Sequence, residues 1–234
     1  MKLPVTQALT IHTHQFKMCE ANCDNYEEIS GYTVITHLDD PQIEVEYAKK
    51  LAFTDLSYLQ RIGIKRYISD PSLLDLIKHI PDQINTAIHL DNCLLARLGF
   101  EEILIINSLN KNTQLIDSIL KNNLSTNSHV NKAFIVPRQD TNACFAITGS
   151  QAPSLFAKIC GVDLRLSKVN NLQVVQTNIA RISAVIIRND MRECPCFYVL
   201  VDQAYSAYFW NCIIDAMDEF TGNIIGSHSF QLLK

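Results

Sequence analysis

The chain has 234 residues, of which 47% are hydrophobic and 19% are charged, so it can bury the core of one large domain or two small ones. Its formal charge is −4, with no basic block, which argues against a nucleic-acid partner. The start resembles no signal peptide and no apolar run approaches the roughly 20 residues that cross a bilayer, so we expect a cytoplasmic protein without a membrane partner.

Residues 1–44 form a mixed, turn-rich segment that is expected to wrap the body or to supply an added strand. The segment contains His12, His14, Cys19 and Cys23, and both residue types are zinc ligands. Their spacings are not those of a known zinc finger, and no second closely spaced cysteine pair of the usual kind follows. A loose segment is therefore the preferred interpretation, a metal site is the alternative, and no metal is expected.

Residues 45–138 are predicted to form a first α+β module. Its elements come in the order strand, helix, strand, strand, helix, strand, over residues 61–68, 70–80, 92–98, 101–108, 110–123 and 132–137. Asp70 is a plausible N-cap for the first helix, with Pro71 at the first helical position. The two central strands are expected to form a hairpin across Gly99 and Phe100.

Residues 139–234 repeat the same order of elements. The predicted strands and helices cover residues 144–149, 150–160, 182–188, 196–202, 204–220 and 228–233. Ser150 is the expected cap of the first helix of this half. This order is that of ferredoxin-like units, and no low-complexity linker separates the halves. The sequence therefore predicts an α+β fold of two tightly packed ferredoxin-like βαββαβ modules.

Two further patterns in the second half allow a functional interpretation. Cys194 and Cys196 flank Pro195, but redox pairs usually have two residues between the thiols, so a plain turn is favoured over a redox pair. The last long helix presents four aromatic side chains: Tyr205, Tyr208, Phe209 and Trp210. Because the last two are adjacent, they point about 100° apart, and one of them is expected to meet another surface. All four are interface candidates.

Several segments resemble the glycine-cleavage T protein (aminomethyltransferase) superfamily, over roughly residues 45–222. "LAFTDLSYLQRIGIKRY" is similar to its Asp-hydrophobic-Ser segment, "HLDNCLLARLGFEEILIINSLNKNTQLI" to its hairpin and following helix, and "AITGSQAPSLFAKICGVDL" to its Gly-Pro-x-Ala segment. In the last third, "QAPSLFAKICGVDL", "VVQTNIARISAVIIR" and "FYVLVDQAYSAYFWNCIIDAMDEF" look like the γ subunit of heterotetrameric sarcosine oxidase, a shortened member of this superfamily.

The resemblance implies candidate folate-binding residues. It places Asp91 at the aspartate that aminomethyltransferases hold beside the folate, Asn107 at the asparagine that ends the second hairpin strand, and Asp55 and Ser57 at the Asp-hydrophobic-Ser segment. The alternative for Asp91 is a strand-entry residue that binds a nearby backbone amide. Asn92 stands where the family usually has a second aspartate, and the segment whose glutamate contacts the pterin is not visible.

Two functions follow from the resemblance, which implies a T-protein-like, folate-binding-type fold without the C-terminal barrel. The first is a sarcosine oxidase γ-like, non-catalytic subunit or interaction protein of an amine- or folate-linked oxidase system, which binds oxidase-type subunits or itself and needs no cofactor. The alternative is a tetrahydrofolate-binding, aminomethyltransferase-like protein that acts on one-carbon units, in which Asp91 orients the folate amine. A metal-responsive N-terminal segment is a third hypothesis.

Overall fold

Two β-sheets stack face to face in this α+β protein. The computed structural model describes residues 8–9, 25–65, 77, 79–109, 114–125 and 134–234, but not the side chains of residues 8–9 and 122–125. The strands of the five-stranded sheet are β5 (Arg61–Lys65), β6 (Thr86–Leu90), β7 (Cys93–Arg97), β8 (Glu102–Asn107) and β9 (Phe134–Pro137). They lie in the order β6-β7-β8-β5-β9, and all of the pairings are antiparallel.

The second sheet has six strands and combines parallel and antiparallel pairs. Its strands are β4 (Ala52–Asp55), β10 (Asn142–Thr148), β11 (Val174–Ile179), β12 (Ile182–Arg188), β13 (Cys196–Asp202) and β14 (Asn223–Ile224). They lie in the order β11-β12-β13-β10-β4-β14, with only β14 parallel to its neighbour. A small third sheet contains β1 (Ala8–Leu9), β2 (Tyr26–Ile29) and β3 (Tyr32–Ile35).

Helices cover the outer faces of the two large sheets. The helices are α1 (Pro41–Lys50), α2 (Gln114–Ser125), α3 (Ala152–Ile159), α4 (Ser206–Asp218) and α5 (Ser227–Gln231), and a 3₁₀ turn over Gln203–Tyr205 precedes α4. Helix α2 packs on the five-stranded sheet, and α3 and α4 pack on the six-stranded sheet. No helix in the described ranges is both long enough and apolar enough to cross a membrane.

The apolar side chains of the central strands alternate between two cores. Along β13, Phe197 and Val199 belong to the core beneath α3 and α4, whereas Tyr198 and Leu200 belong to the core between the sheets. Successive side chains of a strand point to opposite faces, so an uninterrupted apolar run is what a strand buried on both faces requires. The result is a four-layer arrangement of helix, sheet, sheet and helix.

Buried polar groups fix the connections between these layers. The guanidinium group of Arg61, which is almost fully buried, donates to the carbonyl oxygens of Ser57 at 3.0 Å and Leu59 at 2.6 Å. It also donates to the carbonyl oxygens of Gln139 at 3.1 Å and Asn142 at 2.7 Å. One side chain therefore joins the two segments through which the chain crosses between the sheets.

The fully buried carboxylate of Glu44 anchors α1 to the N-terminus of α5. It accepts hydrogen bonds from the backbone amides of Leu38 at 2.6 Å, Asp39 at 2.9 Å and Gly226 at 2.9 Å. A buried carboxylate is tolerated when backbone donors satisfy it in this way.

A glycine permits the close approach of the β10–α3 loop to the end of α1. Gly149 has φ +103°, and a Cβ atom at this position would lie 2.4 Å from the carbonyl oxygen of Lys50. The next two amides, of Ser150 and Gln151, donate to the carbonyl oxygens of Lys49 and Lys50, both at 3.0 Å. These two bonds satisfy carbonyl groups that the end of a helix leaves without partners.

The structure confirms most predicted elements and corrects three expectations. Both predicted hairpins are present, as are the helices that became α2, α3 and α4. The predicted strand over residues 228–233 is wrong, because Ser227–Gln231 is helical, and the N-cap of α3 is Gln151 rather than Ser150. The position beside β10 is taken by β4, which falls in the range predicted for the first module. The helix predicted over residues 70–80 lies almost wholly outside the described residues.

Each hairpin also has an outer strand that the sequence patterns did not reveal. β6 pairs with β7, and β11 pairs with β12, at corresponding edges of the two sheets. These two edge strands touch, since the amide of Ala87 donates to the carbonyl of Leu172 at 2.7 Å and the amide of Val174 donates to the carbonyl of Asn85 at 2.8 Å. The sheets are thus joined at this end.

Candidate functional site

An open cleft of about 480 Å³ lies between a loop of one sheet and a loop of the other. The turn between β6 and β7 and the end of β8 form one wall, and the loop between β12 and β13 forms the other. Most of the residues that line the cleft have polar or charged side chains. The lining residues are His89, Leu90, Asp91, Asn92, Leu94, Asn107, Ser108, Leu109, Asn189, Asp190, Met191, Arg192, Tyr198 and Lys234.

Asp91 lies at the rim of this cleft, in the turn between β6 and β7. Asp91 has φ +46° and Asn92 has φ +62°, and two successive left-handed residues are typical of a type I′ hairpin turn. Asp91 is exposed, and its carboxylate makes no hydrogen bond or ion pair with the described residues. It is thus a turn residue that follows a strand, rather than a residue that enters one and binds a nearby amide.

Asn107 lies in the same cleft and is much better buried. Its side chain is at the end of β8 and the residue is 5% exposed. Its Oδ1 accepts from the Ser108 amide at 2.8 Å and from the Cys93 thiol at 3.8 Å. Its Nδ2 has no hydrogen-bond partner within the described part of the chain. The structure therefore brings Asp91 and Asn107 together, with one unused amide donor inside the cleft.

The neighbouring thiol has no part in proton transfer near neutral pH. Burial raises the pKa of Cys93 from 9.0 to about 11, and the negative charge of Asp91 adds to this shift. The thiol consequently stays protonated and serves as a donor to Asn107.

Asp55 does not line the cleft. It lies at the end of β4, where it is buried, and its Oδ1 accepts from the Ser57 amide at 2.8 Å. The Ser57 hydroxyl in turn donates to the Cys144 carbonyl at 3.3 Å and accepts from the Cys144 amide at 3.1 Å. The Asp-hydrophobic-Ser segment thus shapes the exit of β4 and ties it to β10.

The opposite wall contains residues that the sequence interpretation missed. Asp190 forms a bidentate ion pair with Arg188, with distances of 2.7–3.1 Å, and accepts from the Cys196 amide at 3.2 Å. Its charge is therefore already neutralised. Burial raises the pKa of Tyr198 well above its ordinary value of 10.0, so that this phenol is a neutral hydrogen-bonding group. Because successive side chains of a strand point to opposite faces, Tyr198 points away from the side of Phe197 and Val199 and toward the other sheet.

Two cations complete the mouth of the cleft, Arg192 and Lys234. Both are exposed, and neither forms an ion pair with an acidic side chain of the described residues. Burial of part of the Lys234 side chain lowers its pKa from 10.5. With Asp91 opposite them, these side chains can bind a polar ligand by hydrogen bonds and charge. The carboxylate of Asp91 is nonetheless solvated and unsupported, and a general acid or base is ordinarily positioned by its neighbours.

The expectation that one of the two adjacent aromatic residues of α4 faces outward is wrong. Phe209 is fully buried and Trp210 is 3% exposed. The ring of Trp210 lies 4.9 Å from that of Phe53, and the ring of Phe209 lies 5.3 Å from that of Phe145. Because α4 lies flat on a broad sheet, its buried stripe is wide enough for both directions. These two residues therefore belong to the chain's own core and not to a surface.

The two tyrosines remain accessible. Tyr205 is 52% exposed and Tyr208 is 45% exposed, and the Tyr208 hydroxyl donates to the Ala180 carbonyl at 3.0 Å. Of the four interface candidates, only these two can contact a partner without unfolding of the core.

The cysteine pair of the second half is not joined in a disulfide. Cys194 and Cys196 are buried free thiols, and the Cys194 thiol donates to the Ala48 carbonyl at 3.3 Å. Within residues 25–65, 77, 79–109, 114–125 and 134–234, no three His, Cys, Asp or Glu side chains form a group that could hold a metal ion. His12, His14, Cys19 and Cys23 lie outside the described residues.

Comparison with known proteins identifies relatives of the fold. No protein-family model and no curated protein matches the sequence. A chain of heterotetrameric sarcosine oxidase from Corynebacterium sp. U-96, in complex with pyrrole 2-carboxylate, is similar with a TM-score of 0.63 and 16% identity, over 79% of this chain and 97% of that chain. The glycine cleavage system aminomethyltransferase T from Bartonella henselae is similar with a TM-score of 0.67 and 11% identity, over 92% of this chain and 59% of that chain. At these identities the likeness shows the fold alone.

Proposed function

We propose that this chain is a sarcosine oxidase γ-like, non-catalytic subunit or interaction protein of an amine- or folate-linked oxidase system. The observation that carries the proposal is the extent of the structural likeness, which covers 97% of a chain that is part of a heterotetrameric oxidase. The same fold accounts for only 59% of the aminomethyltransferase chain. The chain is thus similar in extent to a component of an assembly, rather than to the whole of the transferase.

The strand orders support a finer description of this fold as two ferredoxin-like modules. In the five-stranded sheet the order β7-β8-β5-β9 is that of a ferredoxin-like unit. In the six-stranded sheet β12-β13-β10 has the corresponding order, and β4 occupies the place of the fourth strand. Under this description the second module takes β4 from the part of the chain that precedes the first module, so the two cannot separate, which suits a rigid element of a larger complex.

The state of Asp91 supports a non-catalytic role. Transfer of a one-carbon unit on folate requires a carboxylate near the reactive amine and a cavity poor in water. Asp91 is exposed on a turn, and no described side chain orients it. The other carboxylate of the cleft, Asp190, is on the opposite wall and is held by Arg188.

Co-purification tests this proposal. The intact chain, carrying a terminal affinity tag, is isolated from the cells that produce it, and bound flavin and amine-dependent oxygen consumption are measured. We expect a flavoprotein amine oxidase in fixed proportion to the chain. A chain that elutes alone, without flavin and without oxidase activity, would refute the proposal.

The second candidate function is tetrahydrofolate binding, and the cleft itself favours it. Asp91 lies at the rim, and the free amide donor of Asn107 lies inside a space of about 480 Å³. In that case the Asp91 carboxylate orients the folate amine, and Asn107 binds a ligand acceptor. Titration with reduced folate, followed by calorimetry, should then be saturable and weaker for Asp91→Asn. The control is Asp140→Asn, at an exposed position outside the cleft; equal binding by both variants would exclude this role.

A further inference from the structure

A second open groove, also of about 480 Å³, lies at the β14 edge of the six-stranded sheet, opposite the edge that β11 forms. We call it the edge groove and define it by Leu38, Asp39, Ile214, Asp218, Asn223 and Ile224. Its floor is the short edge strand β14, and its walls are the start of α1 and the end of α4. No residue of the Asp91 cleft lines it.

The floor of the edge groove presents unpaired backbone groups. The amides of Asn223 and Ile225 both point toward β4, where they donate to the carbonyl oxygens of Leu51 and Phe53, each at 3.1 Å. Since alternate residues of a strand direct their backbone groups to opposite sides, the N–H and C=O of Ile224 point outward. Neither has a hydrogen-bond partner in the described part of the chain. An uncovered strand edge of this kind is a template for another strand.

The walls of the edge groove are apolar near the strand. Leu38, Ile214 and Ile224 are half-buried, and Met217 lies buried behind them. Glu44 also reaches the groove, but three backbone amides occupy its carboxylate. The interior therefore favours an apolar side chain of a partner, and not a charged one.

The rim of the edge groove is acidic on both sides. Among the described residues, Asp39 on one wall accepts only from the Tyr47 hydroxyl, at 3.3 Å, and from the Asp40 amide, at 2.8 Å. Asp218 on the other wall has no side-chain partner among the described residues, and both carboxylates are exposed. Asp218 is the last residue of α4, whose final turn has no basic residue, so the helix dipole disfavours its charge. A cation supplied by a partner would remove this unfavourable interaction.

We propose that the edge groove docks an extended segment of a partner protein that carries Lys or Arg side chains. One residue of this segment exchanges two backbone hydrogen bonds with Ile224 and adds a strand beside β14. An apolar side chain enters the groove, and basic side chains reach Asp39 and Asp218. The inference rests on the proposed function in one respect, because that function makes the partner an oxidase-type subunit.

A labelled peptide tests the groove directly on the full chain. The probe is fluorescein-labelled Lys-Val-Lys-Val-Lys, and its binding is followed by fluorescence anisotropy. We expect saturable binding, slower hydrogen exchange of the Ile224 amide in the complex, and affinity that falls about fivefold or more when Asp39→Asn and Asp218→Asn are combined. The matched control is Asp215→Asn, one turn earlier on the exposed side of α4, which should bind like the unmodified chain.

A second probe separates backbone pairing from simple charge attraction. The same peptide with both valines N-methylated keeps every charge but loses the valine N–H groups that can pair with the edge strand. It should bind at least about tenfold more weakly, since two paired backbone groups are disturbed. Absence of saturable binding, equal binding of the methylated peptide, or equal binding by the double variant would overturn the proposal.

The other occupant to be distinguished is a second copy of the chain. Light scattering that finds a stable dimer, with the Ile224 amide already protected, would place a second copy at the edge and refute docking of a basic segment. Failure of the proposed function gives a different result: a chain that binds the peptide at Ile224 but never co-purifies with an oxidase. An oxidase complex that leaves the Ile224 amide unprotected would refute this inference alone.

Discussion

Truncation of Trp210 should destabilise the core of the six-stranded sheet rather than release a partner. The ring is 3% exposed and lies 4.9 Å from the ring of Phe53 and 6.2 Å from that of Phe145. Trp210→Ala removes most of this side chain from a packed site, and such substitutions cost about 3–5 kcal/mol through lost burial and the cavity left behind. The loss of two aromatic contacts places the expected value near the upper end of that range.

Urea unfolding followed by circular dichroism measures this loss, and light scattering measures the mass of the native protein. We expect a fall of about 4 kcal/mol in the free energy of unfolding and an unchanged mass. The matched control is Tyr208→Ala, on the same helix and 45% exposed, which should cost less than about 1.5 kcal/mol. A Trp210→Ala loss below about 1 kcal/mol, or a change in mass without a change in stability, would show that this ring meets another surface.

Three further predictions concern stability. Glu44→Gln should cost about 2–4 kcal/mol in urea unfolding, because an amide group cannot accept from all three buried backbone donors; an unchanged midpoint would contradict that network. Gly149→Ala should cost about 2 kcal/mol or more from its positive φ and backbone clash, whereas Gly161→Ala, with open space around it, should change stability by less than about 0.5 kcal/mol. Burial raises the pKa of the Cys93 thiol from 9.0 to about 11 and that of the Cys144 thiol from 9.0 to about 12. The contribution of the two protonated thiols to the free energy of unfolding is therefore complete below pH 9 and is lost as pH rises through these values, at up to about 1.4 kcal/mol per pH unit for each thiol. Unfolding curves at rising pH should show this slope, and Cys144→Ala should reduce it.

The sequence predicted four strands that are buried on both faces and missed the outer strand of each hairpin. The runs that became β7, β8, β12 and β13 are continuously apolar because each strand lies between a helix layer and a second sheet. The strand over Thr86–Leu90 and the strand over Val174–Ile179 have mixed burial, since each is the outer strand of its sheet and several of its side chains remain accessible. Their patterns are therefore weak, and no local rule identifies them.

Long-range pairing explains most of the remaining differences. β4 pairs with β10, some ninety positions along the chain, and nothing in its own four residues identifies that partner. The segment after β14 is helical because Gly226 donates to the buried carboxylate of Glu44 and lies against the carbonyl of Thr36. Such a contact cannot be read from the apolar spacing of residues 228–233. The aromatic pair of α4 was misinterpreted for a geometric reason, because a broad sheet accepts a wider stripe than a single helix does.

The sequence predicted residues of one wall of the candidate cleft and none of the other. The family resemblance directed attention to Asp91 and Asn107, and the fold places both in one cleft. The opposite wall, with Tyr198 and the loop that follows β12, comes from the other half of the chain, so only the stacking of the two sheets brings it into place. Asp55 was directed to the same site by the resemblance, but it lies at the exit of β4 and its carboxylate is used within the loop.

Turnover of the oxidase complex that the proposed function expects, with Asp91→Asn in this chain, tests the central claim most directly. If the chain is a non-catalytic subunit, amine oxidation and one-carbon transfer should proceed at the rates of the unmodified complex, and the mass of the complex should be unchanged. A general acid or base contributes about a hundredfold or more to rate. A loss of that size in a complex of unchanged mass would mean that Asp91 acts in the chemistry, which contradicts the account.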